Sequence, residues 1–174
     1  MLALIGLMLV SPPIFAGLYN IFKSSFMHLS EDPRAELDLY ADYEWAKSHF
    51  EEFASLKTTY YDYITWRRDD FDGQTINIRN GIRDTIVSET SSNLEKQFWF
   101  FGGSATWGTG VSDAHTYPSI FASKNNMPTI NFGESGYIAR QSLAYLSNLL
   151  ISNKDRNLSG VTIVFYDGAN DVGD

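Results

Sequence analysis

Residues 1–22 are almost entirely apolar and carry no charged side chain. As one helix they would reach about 33 Å at ~1.5 Å per residue, enough for the hydrocarbon core of a bilayer. Ser11-Pro12-Pro13 would kink that helix, which membrane helices tolerate better than soluble ones. We read 1–25 as a membrane anchor. A cleaved signal peptide is the competitor, opposed by the missing basic flank and by Ile14 two positions before Ala16. A buried structural helix is the third reading.

Asp32-Pro33 has the form of a helix start, a capping carboxylate followed by proline at the first helical position. From Leu37 through Tyr40, Tyr43, Ala46, Phe50, Phe53, Leu56 and Tyr60, apolar residues recur every three or four positions, which predicts one continuous helix. Its aromatics are read as packing residues. Asn80-Gly81 then separates two alternating runs, 75–78 and 82–86, and predicts a hairpin, because both turn residues accept positive φ. Strands this short do not stand alone. Residues 26–95 are therefore read as an accessory helix-plus-hairpin region, closed by a polar linker at 88–93.

The pattern changes at Gln97. Phe98-Trp99-Phe100-Phe101 is a continuous apolar run ending in Gly-Gly, the mark of a strand buried on both faces. Pro118 opens a short helix through Lys124, residues 129–132 form a second strand, and Leu143, Leu146, Leu149 and Leu150 give the next helix its apolar face. Residues 161–166 make a third strand. Alternating strand and helix predicts an α/β fold with right-handed crossovers and a doubly wound parallel sheet.

Composition narrows the function. With 13 basic against 21 acidic side chains the net charge is −8, so a polyanion such as nucleic acid would be repelled on average. No cysteine is present, which excludes a disulfide framework, a thiolate metal site and a Cys nucleophile. No cluster has metal-ligand spacing, so no cofactor is expected.

The chemistry gathers in three loops that each leave a predicted strand: 102–106 (Gly-Gly-Ser-Ala-Thr), 131–136 (Asn-Phe-Gly-Glu-Ser-Gly) and 168–171 (Gly-Ala-Asn-Asp). In a parallel sheet such loops converge on one crevice. Glycines ahead of Ser104 allow a sharp exit that exposes its hydroxyl as a nucleophile. The N–H of Ser104, the N–H of Gly136 and the side-chain amide of Asn170 would make three donors for the oxyanion of a tetrahedral intermediate. Dinucleotide, P-loop and Gly-x-Ser-x-Gly patterns all fail on this stretch.

These blocks resemble the SGNH (GDSL-type) hydrolase family. Ser104 matches its first-block serine, Gly136 its second-block glycine and Asn170 its third-block asparagine, with Gly103 standing where the commonest pattern has Asp. The resemblance covers about residues 97–174 and implies a flavodoxin-like three-layer α/β/α sandwich. It also implies hydrolysis or transfer of an ester-linked acyl group. The family's fourth block, Asp-x-x-His, is not found, and His28, His49 and His115 do not replace it.

The expectation is thus a membrane-anchored, extracytoplasmic or alternatively secreted SGNH-type esterase or acyltransferase, acting on an acyl ester or acylated carbohydrate. Residues 96–174 would be the front part of its hydrolase domain, with the Asp–His pair outside the chain. A non-catalytic carbohydrate-binding or scaffold protein on the same fold is the alternative, and nucleotide binding a distant third.

Overall fold

A computed structural model describes residues 32–86, 96–155 and 157–172, together with Gly17. The chain divides into two compact units, Met1–Asp42 and Tyr43–Asp174. The expected linker at 88–93 and nearly all of the expected anchor lie outside the described residues. Among the described residues no helix is long and apolar enough to cross a membrane. The reading of a membrane-anchored protein, and the extracytoplasmic placement built on it, is corrected accordingly.

In the first unit Asp32 does cap a helical turn, accepting from the Arg34 N–H at 3.0 Å, but the turn is a 3-10 piece, Pro33–Glu36. It ends at Leu37, where ψ opens to 141°. The single long helix is therefore a correction as well. Leu37 and Tyr43, both of that stripe, are each 52% exposed, and a helix stripe with little to bury against loses the packing that would sustain it. In the second unit, α1 runs only over Trp45–Ser55, where Ala46, His49 and Phe50 are buried.

Tyr60, the expected last residue of the stripe, instead belongs to a strand. β1 (Thr58–Tyr61) and β2 (Thr65–Arg68) pair antiparallel as a separate two-stranded ribbon. Then follow β3 (Phe71–Asp72), β4 (Asn77–Arg79) and β5 (Ile82–Arg83). The Asn80-Gly81 turn forms as its chemistry predicts, with φ +53° and +69°, and sets Ile78 opposite Arg83. After β6 (Gln97–Gly102) come α2 (Ser104–Trp107), α3 (Tyr117–Asn125), β7 (Thr129–Asn131), α4 (Ala139–Ser152) and β8 (Val161–Tyr166).

These strands build one six-stranded sheet in the order β3-β4-β5-β7-β6-β8. Only β7, β6 and β8 run parallel; β3, β4, β5 and β7 are joined antiparallel. The all-parallel flavodoxin-like sandwich with an apolar leading helix gives way to an α/β unit on a mixed sheet. The hairpin does not stand beside the sheet; it extends it, through the pairing of Arg83 with Asn131. Physically, β7 offers an open row of backbone donors and acceptors, and a short hairpin gains stability only by joining such an edge.

The core sits on both faces of β6. Trp99 and Phe101 face Phe132, Tyr137, Tyr145 and Leu146, with Ile64 from the β1–β2 ribbon in the same cluster. Phe100 points the other way, onto Tyr117 and Phe121 of α3 at ring separations of 5.4 and 5.3 Å. Burying each such aromatic contributes roughly 1.5–3 kcal/mol.

Candidate functional site

β6 delivers the chain to Gly103, whose φ of −82° and ψ of −152° turn it into α2. Ser104, the first residue of α2, is exposed, and its N–H is one of those a helical ladder leaves without an acceptor. A Cβ on Gly103 would stand 2.7 Å from Asn170 Nδ2 and 3.2 Å from the Tyr137 carbonyl oxygen. Glycine here is a consequence of close approach. Any side chain at this position would displace the Asn170 amide.

The loop after β7 is laced to this turn. Glu134 N–H donates to the Gly102 carbonyl at 3.0 Å, Asn131 Nδ2 donates to the Thr106 carbonyl at 2.9 Å, and the hydroxyls of Ser135 and Thr109 are 2.6 Å apart. The loop after β8 is tied to the second loop in turn. Asn170 Nδ2 donates to the Tyr137 carbonyl at 2.7 Å, and the Asp171 carboxylate accepts from the N–H of Ala139 at 3.0 Å and of Gly168 at 3.1 Å.

One cavity of about 180 Å³ is bordered by Ser104, Tyr137, Tyr166, Asp167, Ala169 and Asn170. Ser104 and Asn170 thus share a wall. Gly136, at φ +84°, borders a neighbouring cleft whose lining also includes Ala169 and Asn170. The amide of Asn170 spends one N–H on Tyr137, which leaves its second for a ligand.

Charged groups brace the site from below. Arg83, 1% exposed, donates to Asp113 at 2.8 Å and to the carbonyls of Trp107, Gly108 and Val111, and its guanidinium lies 4.3 Å from the centre of the Trp107 ring. This clamps the chain just after the Gly103-Ser104 turn. Arg68 reaches from β2 to Glu134 at 3.0 Å. Burial pushes the Glu134 carboxyl up against the opposing pull of Arg68. Burial also pushes Asp167 up, opposed by the Ser142 hydroxyl that donates to it at 2.9 Å. The Tyr137 phenol is raised by burial too and donates to the Trp66 carbonyl.

Neither described histidine borders the Ser104 cavity. His49 is buried on α1 with Nδ1 2.9 Å from the Thr75 hydroxyl, and His115 is exposed with Nδ1 2.8 Å from Ser112 Oγ. His28 lies outside the described residues. Among the described residues no group of three or more His, Cys, Asp or Glu could hold a metal ion.

Several lining residues escaped sequence reasoning. Asp167 could have been found, since it directly precedes the Gly-x-Asn-Asp block. Tyr137 acts through its backbone carbonyl, which no side-chain pattern announces. Thr65 and Trp66, in a segment that carried no chemical signature, wall the Gly136 cleft.

No protein-family model matches the chain, and no curated protein matches it. The arrangement itself offers an accessible hydroxyl, a nearby side-chain amide and a small cavity between them. Such a set can hold a carbonyl group for attack once a proton acceptor is supplied.

Proposed function

We propose that the chain carries the nucleophile and oxyanion donors of an SGNH-type serine esterase or acyltransferase. Ser104 Oγ attacks the acyl carbonyl carbon of an ester, its proton passing to a general base; of the described residues the Asp167 carboxylate borders the cavity and neither histidine does. The N–H of Ser104 and the amide of Asn170 stabilise the oxyanion, whereas Gly136, expected as a third donor, borders the neighbouring cleft. The C–O bond to the alcohol then breaks, leaving an acyl-serine that water or a sugar hydroxyl resolves.

The observation that carries this reading is the meeting of Asn170 with the Gly103-Ser104 turn at the rim of one cavity. Sequence resemblance alone would leave those residues 66 positions apart (170 − 104). Its test is acetate release from simple acetyl esters. Ser104→Ala is expected to lower the rate by about a thousandfold or more. Full activity in that variant rejects the reading.

A second reading rests on a specific observation, that neither described histidine borders the cavity. On it the fold is a non-catalytic binder of acylated carbohydrate. Saturable binding of an acetylated sugar by a wild-type protein that never releases acetate would select this alternative.

A further inference from the structure

The cleft beside the Ser104 cavity has a character of its own. It is a shallow, open depression of about 570 Å³, whereas the Ser104 cavity is more enclosed at about 180 Å³. The two adjoin at Ala169 and Asn170, so a ligand whose carbonyl sits near Ser104 continues naturally into the larger space. The smaller cavity suits a short acyl group. The larger one suits whatever the acyl group is attached to.

Its walls indicate the chemistry of that second half. Trp66 comes from β2 and stands opposite Gly136: an atom placed where a Gly136 Cβ would be meets Cζ2 of the indole at 3.5 Å and Cη2 at 4.0 Å. The rest of the lining includes Thr65, Arg140, Gln141 and Asn170. An aromatic wall flanked by the Arg140 guanidinium and the Asn170 amide is complementary to a saccharide, whose ring C–H groups pack on the indole while its hydroxyls take those polar partners; the Thr65 hydroxyl and the Gln141 amide are engaged with one another and with the Ile64 carbonyl. Among the described residues no acidic side chain borders the cleft.

The ribbon that brings Trp66 there is held with some strain. Thr65 is β-branched and sits at φ +83°, and Tyr63 before it at +65°, a region such residues rarely enter. Gln141 stabilises this turn by donating to the Ile64 carbonyl at 3.2 Å and to the Thr65 hydroxyl, and Tyr137 donates to the Trp66 carbonyl. Arg68 ties the same strand to Glu134. A strained turn kept in place by four side-chain contacts, at the rim of a cavity, marks a segment positioned for binding.

We propose that the cleft between Trp66 and Arg140 is a saccharide subsite, seating the sugar that carries the ester, with Trp66 as its stacking platform and Arg140 as a hydroxyl partner. The proposal rests on the esterase reading for its orientation, with the acyl group toward Ser104. Binding can nonetheless be measured apart from turnover.

The experiment uses the Ser104→Ala protein, so that an ester probe stays intact, and titrates it with an acetylated methyl glucoside by calorimetry. Triacetin, an acetate ester without a sugar ring, is the control. Adding Trp66→Ala is expected to weaken the sugar at least about tenfold and triacetin by less than about twofold, with Trp66→Phe intermediate. Arg140→Ala, a change at an exposed side chain, is expected to cost about three- to fivefold for the sugar only. Thermal melting verifies that each variant folds, and Trp66→Phe with Arg140→Ala carries the test if Trp66→Ala does not. No sugar binding, unchanged affinity in the folded variants, or equal losses for sugar and triacetin would each overturn the proposal. Failure of the esterase reading shows separately, as acetate release that survives Ser104→Ala.

Discussion

β6 and β8 are both runs of six residues, both apolar, paired to one another in parallel, and each ends in a loop of the candidate site. Their fates differ. Phe101 on β6 is 0% exposed, while Phe165, its neighbour in register on β8 and stacked on it at 5.3 Å, is 45% exposed. β6 lies between two strands, with α4 residues on one face and α3 on the other; β8 is the last strand of the sheet. The same pattern thus yields a buried strand in one place and a half-open one in the next. The site inherits this asymmetry. Ser104 leaves a packed strand and is clamped through Arg83, whereas Asn170 leaves the open one and is held by its bond to Tyr137 and by Asp171.

The sharpest way to break this contrast is to truncate the stacked pair. Phe101→Ala should cost about 3–5 kcal/mol, the usual price of emptying a buried aromatic site. Phe165→Ala should cost about 1 kcal/mol, since much of its surface is already wet. Urea unfolding of the two variants measures both; equal losses would mean that β8 is as well packed as β6. Next in size, Gly103→Ala places a methyl group against the Asn170 amide and should cost about 1–3 kcal/mol by overpacking. Its NMR signature is a shift of the Asn170 side-chain amide, because the bond to Tyr137 must lengthen or break.

The smallest effects concern pH, and they carry opposite signs at Glu52 on α1 and at Asp167 after β8. Burial pushes the Glu52 carboxyl up, but the Thr75 hydroxyl and the N–H groups of Gln74, Thr75 and Ile76 together hold it below its usual value. Its contribution is therefore present above the unfolded-state pKa and lost as pH falls through the lowered one. Asp167 is raised by burial, so its contribution is full at acid pH and lost as pH rises through the raised value. Unfolding midpoints between about pH 3 and 7 should show Glu52→Gln losing part of the wild-type decline in acid. Asp167→Asn should gain relative to wild type toward neutral pH. A single common trend in both variants would remove the distinction.

What could be read from the chain alone was whatever local chemistry decides. Asn80-Gly81 accepts positive φ whatever surrounds it, Asp32 caps the turn that follows, and the runs at 97–102, 129–131 and 161–166 are strands, as their β-branched and aromatic content requires. The linear motifs likewise singled out Ser104, Gly136 and Asn170 without any knowledge of distance. Tertiary structure decided the rest. It broke the stripe after Leu37, turned Tyr60 and Trp66 into strand residues, and put the hairpin on the edge of β7. It also placed Trp66 opposite Gly136, 70 positions away (136 − 66). Each of those outcomes depends on which surface another segment leaves free to be covered, and burial is a property of pairs of segments, which no single stretch of sequence contains.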